Sequence, residues 1–98
     1  MNIVEELKLN SEKPQVLMVK KTDKTKTFVV GLVEKQVLKK HITPVPALLM
    51  VLKGEISFHM NDEILTLKEY DSFEIPVNVP HEVVGNKDEN IFVIQQEL

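Results

Sequence analysis

From Val16 to Gln95 the apolar residues of this chain arrive in short runs, each cut off by glycine, proline, asparagine or a cluster of charges. A helix needs an apolar face repeated every three to four residues over several turns, and no such stretch survives these interruptions. Most of the chain is thereby restricted to strands and turns. Residues 2–9 (NIVEELKL) are the exception, with Ile3, Val4 and Leu7 near one helical face. The same segment reads equally well as an extended lead-in, and Asn10, Ser11, Lys13 and Pro14 end it.

The predicted strands cover residues 16–19, 27–33, 36–38, 47–53, 55–60, 64–67, 72–75, 81–84 and 91–95. Residues 20–26, all Lys, Thr and Asp, read as a solvated loop, and residues 85–90 as a turn. The segment Thr43-Pro44-Val45-Pro46 is not helical, because each proline pushes its predecessor to extended geometry. Residues 55–60 alternate cleanly: Ile56, Phe58 and Met60 share one face, and Glu55, Ser57 and His59 the other. With Asn61-Asp62 as the turn, residues 54–67 form a hairpin. Short strands at this spacing, in a chain of 98 residues, imply one antiparallel all-β domain over 1–98, a barrel or sandwich.

Composition removes several kinds of chemistry. There is no Cys, which excludes disulfides, thiolate zinc sites and a cysteine nucleophile. All 12 basic residues are Lys and the net charge is −3. Without Arg the chain lacks the planar fork that grips phosphates and guanine edges, so no nucleic-acid partner is expected. The longest apolar run, residues 45–52, is far shorter than the ~20 residues of a membrane helix, and residues 1–10 have no apolar leader core. A cytoplasmic location with no membrane partner is the expectation. No Ser or Thr sits in a nucleophile-elbow setting. Three histidines, His41, His59 and His81, remain as the obvious chemistry.

Three segments carry a more specific pattern. They are His41-Ile-Thr-Pro-Val-Pro-Ala47 leading to Gly54-Glu55, then Leu67-Lys-Glu-Tyr-Asp71, then Ile75-Pro-Val-Asn-Val-Pro-His81. Together they resemble the two motifs of the cupin superfamily, over about residues 28–95. The resemblance implies a double-stranded β-helix, or jelly roll, of two antiparallel sheets. It also implies one divalent metal, Zn, Ni, Mn or Fe, held by three His and one Glu, and a homodimer in which residues 1–15 touch the partner. Placed on this sequence, the first and third histidine positions are filled by His41 and His81. Thr43 stands at the second histidine position and Ala47 at the glutamate, so half of the ligand set is missing. Tyr70 stands where a glycine is usual before Asp71, which points to a differently built turn.

Two imidazoles hold a transition metal far less tightly than three or four protein ligands. Glu82 follows His81 directly and so faces the other way in a strand, while Glu55 and Glu74 have facings that turns leave open. His59 falls out of step with Ile56, Phe58 and Met60 and is expected on the solvent side. Thr43, Ala47, Leu49, Ile56 and Phe58 are the candidate pocket-lining residues, and the same alternation is what a plain core would show. His41 with His81 is the one titratable pair available for acid–base work, with Tyr70 and Glu74 as conceivable neighbours; no catalytic residue is assignable. Three functions follow: a small-molecule-binding protein with a weak or vestigial metal site, a metalloenzyme (dioxygenase, isomerase or decarboxylase) with a nonstandard third ligand, or a dimeric interaction module.

Overall fold

The computed structural model describes every residue from Met1 to Leu98. A short helix, α1 (Ile3–Glu6), precedes nine strands: β1 (Gln15–Lys21), β2 (Thr25–Val33), β3 (Val37–His41), β4 (Ala47–Lys53), β5 (Glu55–Met60), β6 (Glu63–Lys68), β7 (Ser72–Ile75), β8 (His81–Gly85) and β9 (Glu89–Glu97). Two sheets face each other, one ordered β1-β2-β9-β4-β7 and the other β3-β8-β5-β6. Every strand pairing is antiparallel. This is the jelly-roll arrangement that the motif resemblance implies. No helix is long and apolar enough to cross a membrane.

The core follows from alternation. Ile56 and Phe58 of β5, Val30 and Leu32 of β2, Leu49 and Val51 of β4, and Phe92 of β9 are all buried between the sheets in one cluster. Each side chain fully buried this way stabilises the fold by about 1.5–3 kcal/mol. A second, smaller cluster lies on the outer side of the five-stranded sheet, where Leu7 packs with Val29 and Ile91, flanked by Ile3 and Leu9. The N-terminal segment thus covers this chain's own sheet. The helix reading of residues 2–9 holds for a single turn, capped by the Asn2 side chain, which accepts from the Glu5 amide at 3.1 Å.

Three sequence expectations are corrected. Residues 20–26 are not a loop: β1 runs to Lys21, β2 starts at Thr25, and only 22–24 turn. The Thr22 hydroxyl accepts from the amides of Lys24 and Thr25 and closes that turn within three residues, so the lysines around it stay in the sheet. Residues 85–90 are likewise not all turn, since Glu89 and Asn90 open β9. Tyr70 does not rebuild its turn but adopts the left-handed backbone of the glycine it replaces, with φ 73. Its amide donates to the Val51 carbonyl at 2.8 Å, which holds the turn under β4 while the ring stays 86% exposed.

One end of the barrel is closed by Asn90, which has no exposed surface. Its Oδ1 accepts from the amides of Glu55 and Lys87, both at 3.0 Å. Its Nδ2 donates to the carbonyls of Leu32 at 3.1 Å and Lys87 at 2.8 Å. Leu32 belongs to one sheet and Glu55 to the other, so a single amide ties the two layers. Two glycines make room for it. A Cβ at Gly54, where φ is 77, would meet Asn90 Oδ1 at 2.6 Å, and one at Gly85 would meet Asn90 Nδ2 at 2.6 Å.

Asn90→Ala strands the buried Leu32 carbonyl and three part-buried backbone groups of Glu55 and Lys87, so it lowers stability by about 2–4 kcal/mol. Urea unfolding should show a lower midpoint with an unchanged slope. Tyr70→Gly removes the left-handed strain of an exposed side chain and raises stability by up to about 1 kcal/mol in the same assay.

Candidate functional site

The opposite end of the barrel gathers the polar residues. The turn after β2 folds β3 back along it, so His41 arrives at the end from which β2 started. There His41 pairs directly with His81, and a bulge between Leu38 and His41 keeps both in register. The rings meet edge to face with centroids 4.4 Å apart. His81 is 2% exposed and stacks on Phe58 at 4.9 Å, whereas His41 is exposed. The Nδ1 atoms lie 2.8 Å from the Lys39 carbonyl and 3.0 Å from the Val79 carbonyl, respectively. A carbonyl only accepts, so each Nδ1 carries the proton and each Nε2 offers a lone pair.

Burial pushes the His81 pKa below the ordinary histidine value; the Val79 carbonyl works against this and the neighbouring His41 adds to it.

Strand register extends this pair into two facing lips. On the four-stranded sheet the row is His41, His81, Met60 and Glu63. On the five-stranded sheet it is Lys21, Lys26, Gln96, Ala47 and Ile75. Paired residues share a face of their sheet. Lys26 and Gln96 are in step with Phe28 and Ile94, which turn toward the core.

The sequence-predicted residues separate accordingly. Thr43 is buried, and its carbonyl accepts from the Asn78 amide at 3.0 Å. Ala47 is buried on the five-stranded lip. Leu49, Ile56 and Phe58 are wholly buried members of the core. His59 stands opposite Glu82 and Ile64, out of step with the core residues of β5. Glu55 lies near the closed end, accepting from Asn86 Nδ2 at 2.9 Å. Glu74 pairs with Leu48, out of step with Ala47 and Ile75. Lys21, Lys26 and Gln96 were not expected here. Their signal was a period of two, since Lys26 continues Phe28 and Val30, and Gln96 continues Phe92 and Ile94.

The largest surface hollow, about 980 Å³, lies instead at the closed end, between Lys53, Glu55, Glu69, Tyr70 and Lys87. It is lined by charges of both signs with a single apolar residue. It lacks the apolar wall that small-molecule sites use, and the histidine end is preferred for its paired imidazoles rather than for a hollow, since neither His41 nor His81 lines the three main hollows.

The family described as "Cupin domain" matches residues 28–94. The chain belongs to the cupin family. Among solved structures, an uncharacterised double-stranded β-helix protein from Klebsiella pneumoniae aligns with TM-score 0.88 and 20% identity, covering 99% of this chain and 87% of that one. A cupin superfamily protein from Desulfitobacterium hafniense aligns with TM-score 0.87 and 12% identity, covering 100% and 89%. The protein TT1209 from Thermus thermophilus aligns with TM-score 0.84 and 19% identity, covering 99% and 96%. At these identities the structures show the fold alone. No functionally curated protein matches the chain.

Cupins commonly bind a metal, and the residues of this cupin do not fit a tightly held one. Its donor set at the mouth is two imidazole nitrogens. No group of three or more His, Asp or Glu side chains is placed to hold an ion. The nearest register carboxylate, Glu63, sits at the exposed rim beside Met60. Two imidazole nitrogens fall short of the three or four protein ligands that hold such an ion tightly.

Because the native His81 pKa is lowered, the unfolded chain binds more protons than the folded one between the two pKa values. The stability that His81 contributes is therefore full above about pH 6.5 and is lost as pH falls toward the native value. Wild type should lose stability relative to His81→Phe as pH drops through that window, and His41→Ala should raise the His81 pKa measured by NMR. Parallel stability profiles for wild type and His81→Phe would contradict this.

Proposed function

We propose that this cupin binds a small molecule at the open end of its barrel, with His41 and His81 as hydrogen-bond acceptors and a vestigial divalent-metal site. The observation that carries the reading is the paired orientation of the imidazoles. Both Nδ1 atoms are committed to backbone carbonyls, so both Nε2 atoms remain for a ligand. The stacking of His81 on Phe58 supports it further, because it fixes one ring against the core before any ligand arrives. A ligand hydroxyl or amide N–H donating to Nε2 would replace water at little entropic cost.

The same geometry supports a weak metal site rather than a tight one. An ion at the mouth would receive two nitrogen ligands and complete its coordination with water. Titration of the apoprotein with zinc, nickel or manganese, followed by calorimetry and histidine ring NMR, should give dissociation constants weaker than micromolar. Stoichiometric binding tighter than micromolar that is lost in both His41→Ala and His81→Ala would overturn the vestigial assignment.

A further inference from the structure

The five-stranded lip holds a feature that barrel closure does not need. Lys21 and Lys26 stand directly opposite each other on neighbouring strands, in the row that continues through Gln96. Like charges in that position repel and cost stability. The chain has 15 carboxylates, yet neither lysine forms an ion pair; the one ion pair joins Lys53 and Glu89 at the other end. The Lys26 ammonium lies 5.2 Å above the Phe28 ring, on the face that leads into the barrel. The carboxylates closest in the chain do not answer the pair. Glu97 pairs with Thr25, out of step with Lys26, and Asp23 belongs to the tight turn. On the facing lip Glu63 is on the edge strand β6, three strands from β3.

We propose that Lys21 and Lys26 are the anion-recognising half of the mouth and that its ligand is a small hydroxycarboxylic acid. The inference rests on the small-molecule reading above and names the class of molecule. Two adjacent ammonium groups suit the two oxygens of one carboxylate, each as a point charge. Phosphate is disfavoured, because the chain has no arginine to supply a planar fork. The Gln96 amide lies next to Lys26 across the sheet and supplies a neutral donor and acceptor. Across the mouth the Nε2 atoms of His41 and His81 accept, which suits a hydroxyl on the same molecule. Carboxylate at one lip and hydroxyl at the other define the class.

The test is an NMR titration of the intact chain with glycolate, malate and gluconate, with inorganic phosphate and with the neutral polyol glycerol. Wild type, Lys26→Met, Lys21→Met and Lys26→Arg are compared. At least one hydroxy acid should give saturable shifts at both Lys26 and His81. Its affinity should fall on the order of tenfold in each Met variant, as expected for loss of a charged hydrogen bond, and be largely kept in Lys26→Arg. A native-like spectrum of the Met variants shows that folding is intact, and Lys26→Arg reports on charge if Lys26→Met fails to fold. Equal binding by inorganic phosphate would overturn the carboxylate assignment. Polyol or acid binding that moves His81 but is indifferent to both lysines would overturn the lysine pair while leaving the small-molecule reading intact. No shift at either lip with any probe would overturn the inference and count against the small-molecule reading as well.

Discussion

The barrel depends on one buried amide. Asn90 uses its two N–H groups and both acceptor positions on backbone atoms of β2, β5 and the turn after β8. Apolar contact between two sheets is permissive about how they slide, whereas four directional bonds are not. Fixing the sheets at this end sets the level of every row across the barrel. Gly54 and Gly85 then have a physical reason: each leaves the space that Asn90 occupies.

The two ends are therefore unlike. The Asn90 end satisfies its polar groups internally. The other end presents imidazoles, lysines and an amide on facing rows, with His81 held by Phe58 and the rest exposed or half-buried. Binding chemistry belongs where polar groups are placed but not mutually satisfied. The missing half of the cupin ligand set sharpens this contrast. Thr43 and Ala47 take away a nitrogen and a carboxylate, and with them the anionic charge that would have answered a cation. What remains on the facing row is the pair Lys21 and Lys26, the basis of the proposed anion site.

Much of this was legible in the residues. The alternation of Ile56, Phe58 and Met60 placed His59 on the other face, and the paired motifs brought His41 and His81 together. The errors have physical causes. Residues 20–26 look like a loop because their composition is polar, yet the lysines continue the period-two pattern of β2 beyond its apolar part. Asn90 sits in a stretch of turn formers, and nothing local distinguishes an asparagine that caps a turn from one that bridges two sheets. Its partners Leu32 and Glu55 are 58 and 35 residues away. Tyr70 signalled a departure from glycine, but the tertiary hydrogen bond to Val51 holds the backbone in the glycine conformation regardless.

The central claim is that the sheets are locked at the Asn90 end and are looser at the mouth. Native-state hydrogen exchange measures this residue by residue. The account predicts that the amides of Glu55 and Lys87, which donate to Asn90, exchange only through global unfolding, while those of Lys26 and His81 exchange through smaller openings. Equal protection at the two ends, or faster exchange at Glu55 and Lys87, would contradict it.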